Sequence, residues 1–348
     1  MSAPDEAANA GPASANAIRR FAPLLLLAAV LAVLCVLGFE LRPYHRELAI
    51  VFFINVIMVT SYRLITTTGD WSFAHVVLMG AGSYGAALIA KHAGLPFGVV
   101  VPMAGITAAI VGAAFIIPLL RTAGFGFFIA SFAMGELVRL IWVKVQFPFG
   151  GTRGIINIPS PEIVGLRLSP PVPFYFTCFI VMLAAVFIMW RLDKSRLGNA
   201  WKSIHSDDLL AECVGIDVSR YRSLAFITGA FFAGIAGALL AYRMGSIDPR
   251  NFDLTTMIYL IIWVVVGGTA TFWGPIVGLV VVTIAFEWSR PLLEWRPLMF
   301  GGVLIFFLIF LPGGLESLFP KVGNALRTPP GQQFARLRSW LTTFASRT

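Results

Sequence analysis

Apolar stretches long enough to cross a lipid bilayer recur throughout this chain. A membrane-spanning helix needs about 20 predominantly apolar residues, and because lipid satisfies no backbone hydrogen bonds, segments of that length cross it as helices. The candidate spans cover residues 21–39, 47–66, 74–92, 97–119, 124–143, 172–190, 223–242, 254–268, 273–289 and 297–311. The sequence therefore predicts an all-α integral membrane protein with about ten transmembrane helices.

Composition supports a membrane protein and argues against other classes. The 348 residues are 58% hydrophobic and 12% charged, whereas soluble domains carry about 25% charged residues. The net charge of +9 comes mainly from basic residues that flank predicted spans, so membrane lipid is an expected partner and nucleic acid is not. Three scattered cysteines predict neither a disulfide framework nor a metal site.

The predicted spans also divide the chain. Residues 1–20 form a polar tail, residues 21–314 form one transmembrane domain, and residues 315–348 form a basic tail. Lys and Arg are more frequent in the loops that fall inside when the N-terminus is cytoplasmic. An even number of spans then places both termini in the cytoplasm of a bacterial inner membrane.

One internal segment is rich in charge although predicted spans lie on both sides of it. It runs from Arg191 to Arg222 and falls on the cytoplasmic side. Ser206 is a suitable N-cap, Asp207 and Asp208 would occupy the first helical turn, and Gly215 can end a helix in a left-handed conformation. These signals predict a short amphipathic helix in water, and an ordinary solvated loop is the alternative.

The predicted helix has two different faces. Leu209, Leu210 and Val214 fall on or near one of them, while Asp208 and Glu212 lie four residues apart on another. Such a helix can present apolar side chains to a partner while its acids remain in water.

Charged residues at membrane depth are usually functional because burying them is costly. Glu136 and Arg139 are three residues apart and can pair on one helix face. A structural ion pair is favoured over a direct role in a transport path. Other polar candidates for a path sit alone in apolar spans, where hydrogen bonding between helices is the more common use. They are Asn55, Ser131, Thr228 and Tyr259.

Asp70 and His75 lie near the start of a predicted span. They could carry protons in a proton-coupled transporter, but Asp70, between Gly69 and Trp71, is more simply a helix cap at the membrane interface.

Several motifs in the sequence have a simpler structural explanation. GAGSYG, from Gly80 to Gly85, matches a dinucleotide-binding pattern but lies within an apolar helix, where close helix packing explains it better. Small residues four positions apart occur at Ala81–Gly85, Ala108–Gly112 and Gly274–Gly278. No GxxxxGK[ST] motif, metal-ligand pattern or nucleophile with its base is present. The chain is therefore not predicted to be an enzyme, and any ATPase that drives it must be another polypeptide.

Four stretches resemble the permease subunits of branched-chain amino acid ABC transporters. They are GDWSFAHVVLMGAGSYGAAL, FIASFAMGELVRL followed by FGGTRGI, SRLGNAWKSIHSDDLLAECVGIDVSRYRSLAFITGAFFAGIAGALLA, and IDPRNFDLTTMIYLIIWVVVGGTATFWGPIVG. The resemblance extends from about residue 69 to residue 314.

The resemblance implies a type II ABC importer-like permease that has no cofactor of its own. It also implies three kinds of partner: a homologous second permease, two ATPase subunits that bind ATP, and an external or periplasmic solute-binding protein. Independently of the resemblance, the segment 147–173 is too polar and too rich in Gly and Pro to cross a membrane. We expect it to form an outer-face loop, with a short helix on the membrane, where a delivery protein could touch. The resemblance further implies that the cytoplasmic helix docks on an ATPase as a coupling helix. Its residues include Ser206, Asp207, Asp208, Leu209, Ala211, Glu212 and Gly215.

Two departures from the family leave the solute open. The chain has AHVVLMGAGSY where relatives usually have residues like GHAAFFGIGAY, and FGGTRG, with Arg153, where they have residues like TGGSNG. Branched-chain amino acids are expected, with urea, short amides and aromatic acids as alternatives. A proton-coupled secondary transporter that uses Asp70, His75 or Glu136 is the main rival.

Overall fold

The computed structural model describes residues 42–122, 124–163, 166–167, 171–288, 301–302 and 314–317. The predicted first span, the N-terminal tail and most of both the tenth span and the C-terminal tail lie outside the described residues. Ten helices are described within these ranges. They are α1 (Pro43–Thr66), α2 (His75–Ala93), α3 (Phe97–Leu119), α4 (Phe125–Lys144), α5 (Pro171–Asp193), α6 (Arg196–Ser206), α7 (Asp208–Cys213), α8 (Val218–Met244), α9 (Leu254–Gly267) and α10 (Gly274–Trp288).

The structure is mostly helical, and five helices are long and apolar enough to cross a membrane. They are α1, α3, α4, α5 and α8. Helices α9 and α10 are apolar but have only 14 and 15 residues, fewer than a span normally needs. The prediction of a helical membrane protein is confirmed, whereas the count of ten spans stays a prediction.

The bundle is organised around α8, which packs against α1, α2 and α3. Close approach is possible because small residues face each other where these helices meet. A Cβ added at Gly82 of α2 would overlap Gly234 of α8, and one added at Gly237 would overlap the carbonyl oxygen of Met79. The Ser83 hydroxyl donates to the Gly237 carbonyl at 2.8 Å. The segment GAGSYG therefore lies inside a packed helix.

Short strands close the end of the bundle at which α8 terminates. Strand β1 (Ile155–Ile156) pairs antiparallel with β4 (Ser246–Ile247), and β2 (Glu162–Ile163) pairs with β3 (Leu166–Arg167). The predicted short helix of this loop is wrong for its described part, which instead contains a 3-10 turn at Gly151–Arg153. Gly150, Gly151 and Gly154 adopt positive φ angles here, and such a backbone does not continue as an α-helix.

Candidate functional site

We use the name charged end for the opposite end of the bundle. It is formed by the loop 67–74, the segment 194–217 and the turn 268–273. The first and last of these connect helix pairs α1–α2 and α9–α10, and the second contains α6 and α7. Two clusters of ion pairs connect these three segments.

Helix α7 has well-formed caps at both of its ends. The Asp207 carboxylate accepts a hydrogen bond from the Leu210 N–H at 3.0 Å. After the helix, Gly215 has a φ of +85°, its N–H donates to Glu212 O, and the N–H of Ile216 donates to Ala211 O at 3.0 Å. This pair of hydrogen bonds is a Schellman motif, which stops the helix after six residues.

The prediction that Ser206 caps this helix is wrong by one residue. Ser206 is the last residue of α6, and its hydroxyl donates back to the Lys202 carbonyl. Asp207 is the N-cap because its backbone is extended while its carboxylate reaches the first turn of α7. Two helices with a sharp break therefore replace the single short helix that the sequence suggested.

Helix α7 and its C-cap expose several aliphatic side chains, although the surrounding segment 194–217 is rich in charge. Ala211 is buried in a small cluster with Ile204 and Val218. In contrast, Leu209, Leu210 and Val214 are 74%, 66% and 75% exposed. Three exposed aliphatic side chains on one short helix are typical of a surface that a partner covers.

Arg222, in the second turn of α8, connects α7 to the loop after α1. Its Nη2 donates to Asp208 Oδ2 at 2.7 Å, and its Nε lies 3.2 Å from Asp70 Oδ2. Asp70 also accepts a hydrogen bond from the Thr68 hydroxyl at 3.2 Å. The prediction that Asp70 is a helix cap is wrong, because α2 begins at His75 after Ala74, without a side-chain cap.

Asp70 is buried in the loop between two helices. Burial raises the pKa of its carboxyl group above the usual range, and the nearby Arg222 and the Thr68 hydroxyl act in the opposite direction. Arg222 is thus the main group that opposes the effect of burial on the Asp70 pKa.

A second cluster centres on Arg63 near the end of α1. Its Nη1 lies 2.8 Å from Asp193 Oδ1, and the two side chains are only 1% and 3% exposed. Its Nε donates to the Thr271 carbonyl at 2.7 Å, and its guanidinium lies over the Phe272 ring. Lys202 of α6 reaches the other oxygen of Asp193 at 3.1 Å. This cluster connects α1, α5, α6 and the turn 268–273.

Glu316 holds the other side of that turn. Its carboxylate accepts hydrogen bonds from the N–H groups of Ala270 and Thr271 at 2.6 and 2.7 Å, and from the Thr271 hydroxyl at 2.5 Å. Residues Leu315–Ser317 form a 3-10 turn in which Glu316 is buried. The first residues of the predicted C-terminal tail therefore contact the bundle, and the domain boundary at residue 315 stays a prediction.

The structure also brings Glu136 and Arg139 together on α4. Arg139 Nε lies 3.0 and 2.9 Å from the two carboxylate oxygens, and its Nη2 contacts Oε1. Both side chains remain partly exposed, on the least buried of the five long helices. A pair that is exposed on a helix of this kind needs water or another protein beside it rather than lipid.

Glu136→Gln is expected to lower the melting temperature more by itself than in combination with Arg139→Leu. The single change leaves a guanidinium without its carboxylate, whereas the double change removes both charges. Thermal unfolding of the two variants in mild detergent measures this difference. Arg139→Leu alone is measured as well. If the fall of melting temperature in the double variant equals the sum of the falls in the two single variants, the residues do not act as a pair.

The remaining candidates for a path are not brought together. Ser131 is buried, where its hydroxyl donates to the Phe128 carbonyl and accepts from the Phe73 N–H at 2.9 Å. The Thr228 hydroxyl donates to carbonyl groups of its own helix. Asn55 and Tyr259 are half-buried on α1 and α9. Ser131 is therefore engaged in helix packing, as the more common use of such residues suggests.

His75 is fully buried, and its Nε2 lies 2.9 Å from the Ser61 hydroxyl. It also packs edge-to-face against the Tyr62 ring. Among the described residues, no group of three or more His, Cys, Asp or Glu side chains could hold a metal ion.

Comparisons with known proteins assign the chain to a family. A family model described as "Branched-chain amino acid transport system / permease component" matches residues 45–311. The permease protein LivM of Salmonella typhimurium, named for high-affinity branched-chain amino acid transport, is 28% identical over 274 residues, which are 72% of this chain and 64% of that protein. LivM of Escherichia coli K12 is 28% identical over 257 residues, which are 67% of this chain and 60% of that protein.

LivH of Escherichia coli K12, another permease protein of high-affinity branched-chain amino acid transport, is 30% identical over 144 residues, which are 40% of this chain and 45% of that protein. No solved structure matches the chain. The aligned region thus covers less than two thirds of each of these relatives. The family model, however, matches most of the chain and describes a transport component rather than an enzyme. With its helical membrane fold, the chain belongs to the permease components of branched-chain amino acid transport systems.

Proposed function

We propose that the chain is the transmembrane permease subunit of an ATP-driven importer. Helix α7 carries this proposal, because it is capped at both ends, exposes three aliphatic side chains and is joined to the bundle by Arg222. A rigid surface helix of this kind can transmit the movement of a partner instead of absorbing it. The partner in this proposal is an ATPase subunit, so the charged end faces the cytoplasm.

Other partners follow from the same proposal. ATP binds to two separate ATPase subunits, since the chain has no phosphate-binding loop of its own. A homologous second permease completes the transmembrane unit, as the separate LivM and LivH relatives suggest. An external binding protein delivers the solute to the end that contains β1 and β4. The complex lies in the bacterial inner membrane.

The proposed solute is a branched-chain amino acid, because the names of the relatives refer to that transport. L-Leucine is therefore the first probe, with urea, acetamide and L-phenylalanine as competitors for its uptake. Glu136 is the strongest candidate for a residue beside the path, since its partly exposed charge cannot face lipid.

A crosslinking experiment from Cys213 tests the ATPase contact. Cys213 is exposed on α7, whereas Cys178 is buried. A photoactivated maleimide crosslinker attached to Cys213 in native membranes is expected to capture an ATP-binding subunit, which mass spectrometry can identify. Leu209→Glu should reduce the yield of this adduct about tenfold or more, because it places a charge on the apolar surface.

Two controls make the result specific. Cys213→Ser must abolish the adduct, and Arg220→Gln, on the same segment, should leave it unchanged. An adduct that contains no ATP-binding subunit, or leucine uptake that survives ATP depletion and collapses with an uncoupler, would overturn the proposal in favour of a proton-coupled carrier.

A further inference from the structure

Arg222 is placed to connect two parts of the molecule that the chain itself connects only indirectly. Its side chain is 22% exposed, and its guanidinium contacts carboxylates of Asp208 on α7 and Asp70 on the loop after α1. Asp70 and Asp208 are separated by more than a hundred residues of sequence. One cation therefore bridges the surface helix and the interior of the bundle.

Helix α7 depends on such a bridge. A helix of six residues is not stable by itself, and its only residue in the local apolar cluster is Ala211. The covalent route from α7 to α8 passes through Gly215 in a left-handed conformation. The Arg222–Asp208 hydrogen bond provides a second and more direct connection.

The Asp70 side of the bridge is firmly anchored. The hydroxyl groups of Thr66, Thr67 and Thr68 donate to carbonyl groups of α1 at 3.1, 2.7 and 2.7 Å. Ser72 is buried, and its hydroxyl accepts from the Ala74 N–H. A displacement of Asp70 is therefore expected to move the adjoining ends of α1 and α2 with it.

The segment before α7 is anchored as well. Trp201 of α6 is fully buried, and its indole N–H donates to the Tyr221 carbonyl at 2.9 Å. Tyr221 is the residue next to Arg222. Helix α6 is therefore attached to α8 at Tyr221, one residue before the arginine that contacts α7.

We infer that Arg222 is a positioning residue that transmits movement of α7 to the α1–α2 loop at Asp70. This inference rests on the proposed function, because it assumes that a partner moves α7. Arginine suits the task because its guanidinium donates a hydrogen bond from Nη2 to Asp208 while its charge lies beside Asp70, with Nε 3.2 Å from Oδ2. The compact ammonium group of lysine does not offer this geometry.

The test uses Arg222→Gln and Arg222→Lys, with Arg220→Gln as a matched control. Arg220 lies two residues away and is 87% exposed, and its ion pair with Asp217 stays within one helix end. Each full-length chain is reconstituted in lipid vesicles with its second permease, ATPases and binding protein. Uptake of tritiated L-leucine and ATP hydrolysis are measured in the same vesicles.

The expected result is uncoupling. Arg222→Gln should retain ATP hydrolysis within about twofold but lower leucine imported per ATP about tenfold, Arg222→Lys should recover only part of this ratio, and Arg220→Gln should match the wild type. A merely structural role would reduce uptake and hydrolysis together, and that outcome overturns the inference. An unchanged ratio in Arg222→Gln overturns it as well.

Amide hydrogen exchange adds a readout that does not depend on transport. Arg222→Gln should speed exchange in both 67–72 and 208–213, and Arg220→Gln should not. Faster exchange in only one of these segments contradicts the bridge. If the wild-type complex imports no leucine with ATP, the proposed function itself fails, which distinguishes that failure from the loss of Arg222's role alone.

Discussion

Gly237→Ala is expected to remove most of the folded protein from membranes. A Cβ at this position would overlap the Met79 carbonyl oxygen and would lie 2.8 Å from the Ser83 Oγ. A backbone oxygen cannot turn aside as a flexible side chain can, so α2 and α8 must separate. Overpacking costs about 1–3 kcal/mol and occasionally more, and a clash with backbone is expected to lie at the upper end of this range. The yield of monodisperse protein after heating, measured by fluorescence-detected size-exclusion chromatography, gives the effect.

Gly98→Ala is the control for this prediction. Gly98 lies in the first turn of α3, and a Cβ added there has no atom within 4 Å. The same addition of one carbon should therefore leave the melting temperature unchanged. A Gly237→Ala protein that is as stable as Gly98→Ala would mean that α2 and α8 do not pack as closely as described.

The second large effect is expected for Asp193→Asn. This change leaves the buried Arg63 guanidinium without its charged partner and weakens the contact of Lys202. Removing one member of a buried pair costs about 3–5 kcal/mol. Thermal unfolding in mild detergent should show a fall of the melting temperature that is much larger than for Arg220→Gln, whose exposed ion pair contributes little.

The double variant Arg63→Met with Asp193→Leu tests the cause. It removes both charges and keeps side chains of similar size, so it should be more stable than Asp193→Asn alone. If the double variant is the less stable of the two, hydrogen bonds of Arg63 to the turn 268–273 matter more than its pairing with Asp193.

Features that depend on neighbours along the chain could be predicted from the sequence. Apolar length placed α1, α3 and α8 within a few residues of their observed ends. Gly215 was predicted as the helix terminator because only its local backbone mattered. The Glu136–Arg139 pair followed from a spacing of three residues on one helix.

Contacts between distant segments could not be predicted in the same way. In the sequence, Arg222 is one of several charges of its segment, and nothing nearby in the sequence connects it to Asp70. Arg63 is 130 residues from Asp193. Glu316 looked like part of a tail because its partners are backbone N–H groups, which have no signature in the sequence.

The spacing of small residues predicts that a helix packs closely, but it does not identify the helix against which it packs. The spacing highlighted Ala81–Gly85 and Ala108–Gly112, and Ala108 does lie against Gly234. The closest approaches of α2 to α8, however, are at Gly82 and at the Met79 carbonyl oxygen, and neither residue belongs to the predicted pair. A periodic pattern on one helix does not tell which of its faces meets a second helix.

The two attachments of α8 have a mechanical consequence. Its first turns are tied through Arg222 to Asp70 and Asp208, and its far end continues into β4, which pairs with β1. The helix has 27 residues and thus spans about 40 Å. Between these ends, Gly234 and Gly237 lie directly against the backbones of α3 and α2. A tilt of α8 at its Arg222 end is therefore expected to displace the β1–β4 pair at its other end, with the glycine contacts as the pivot.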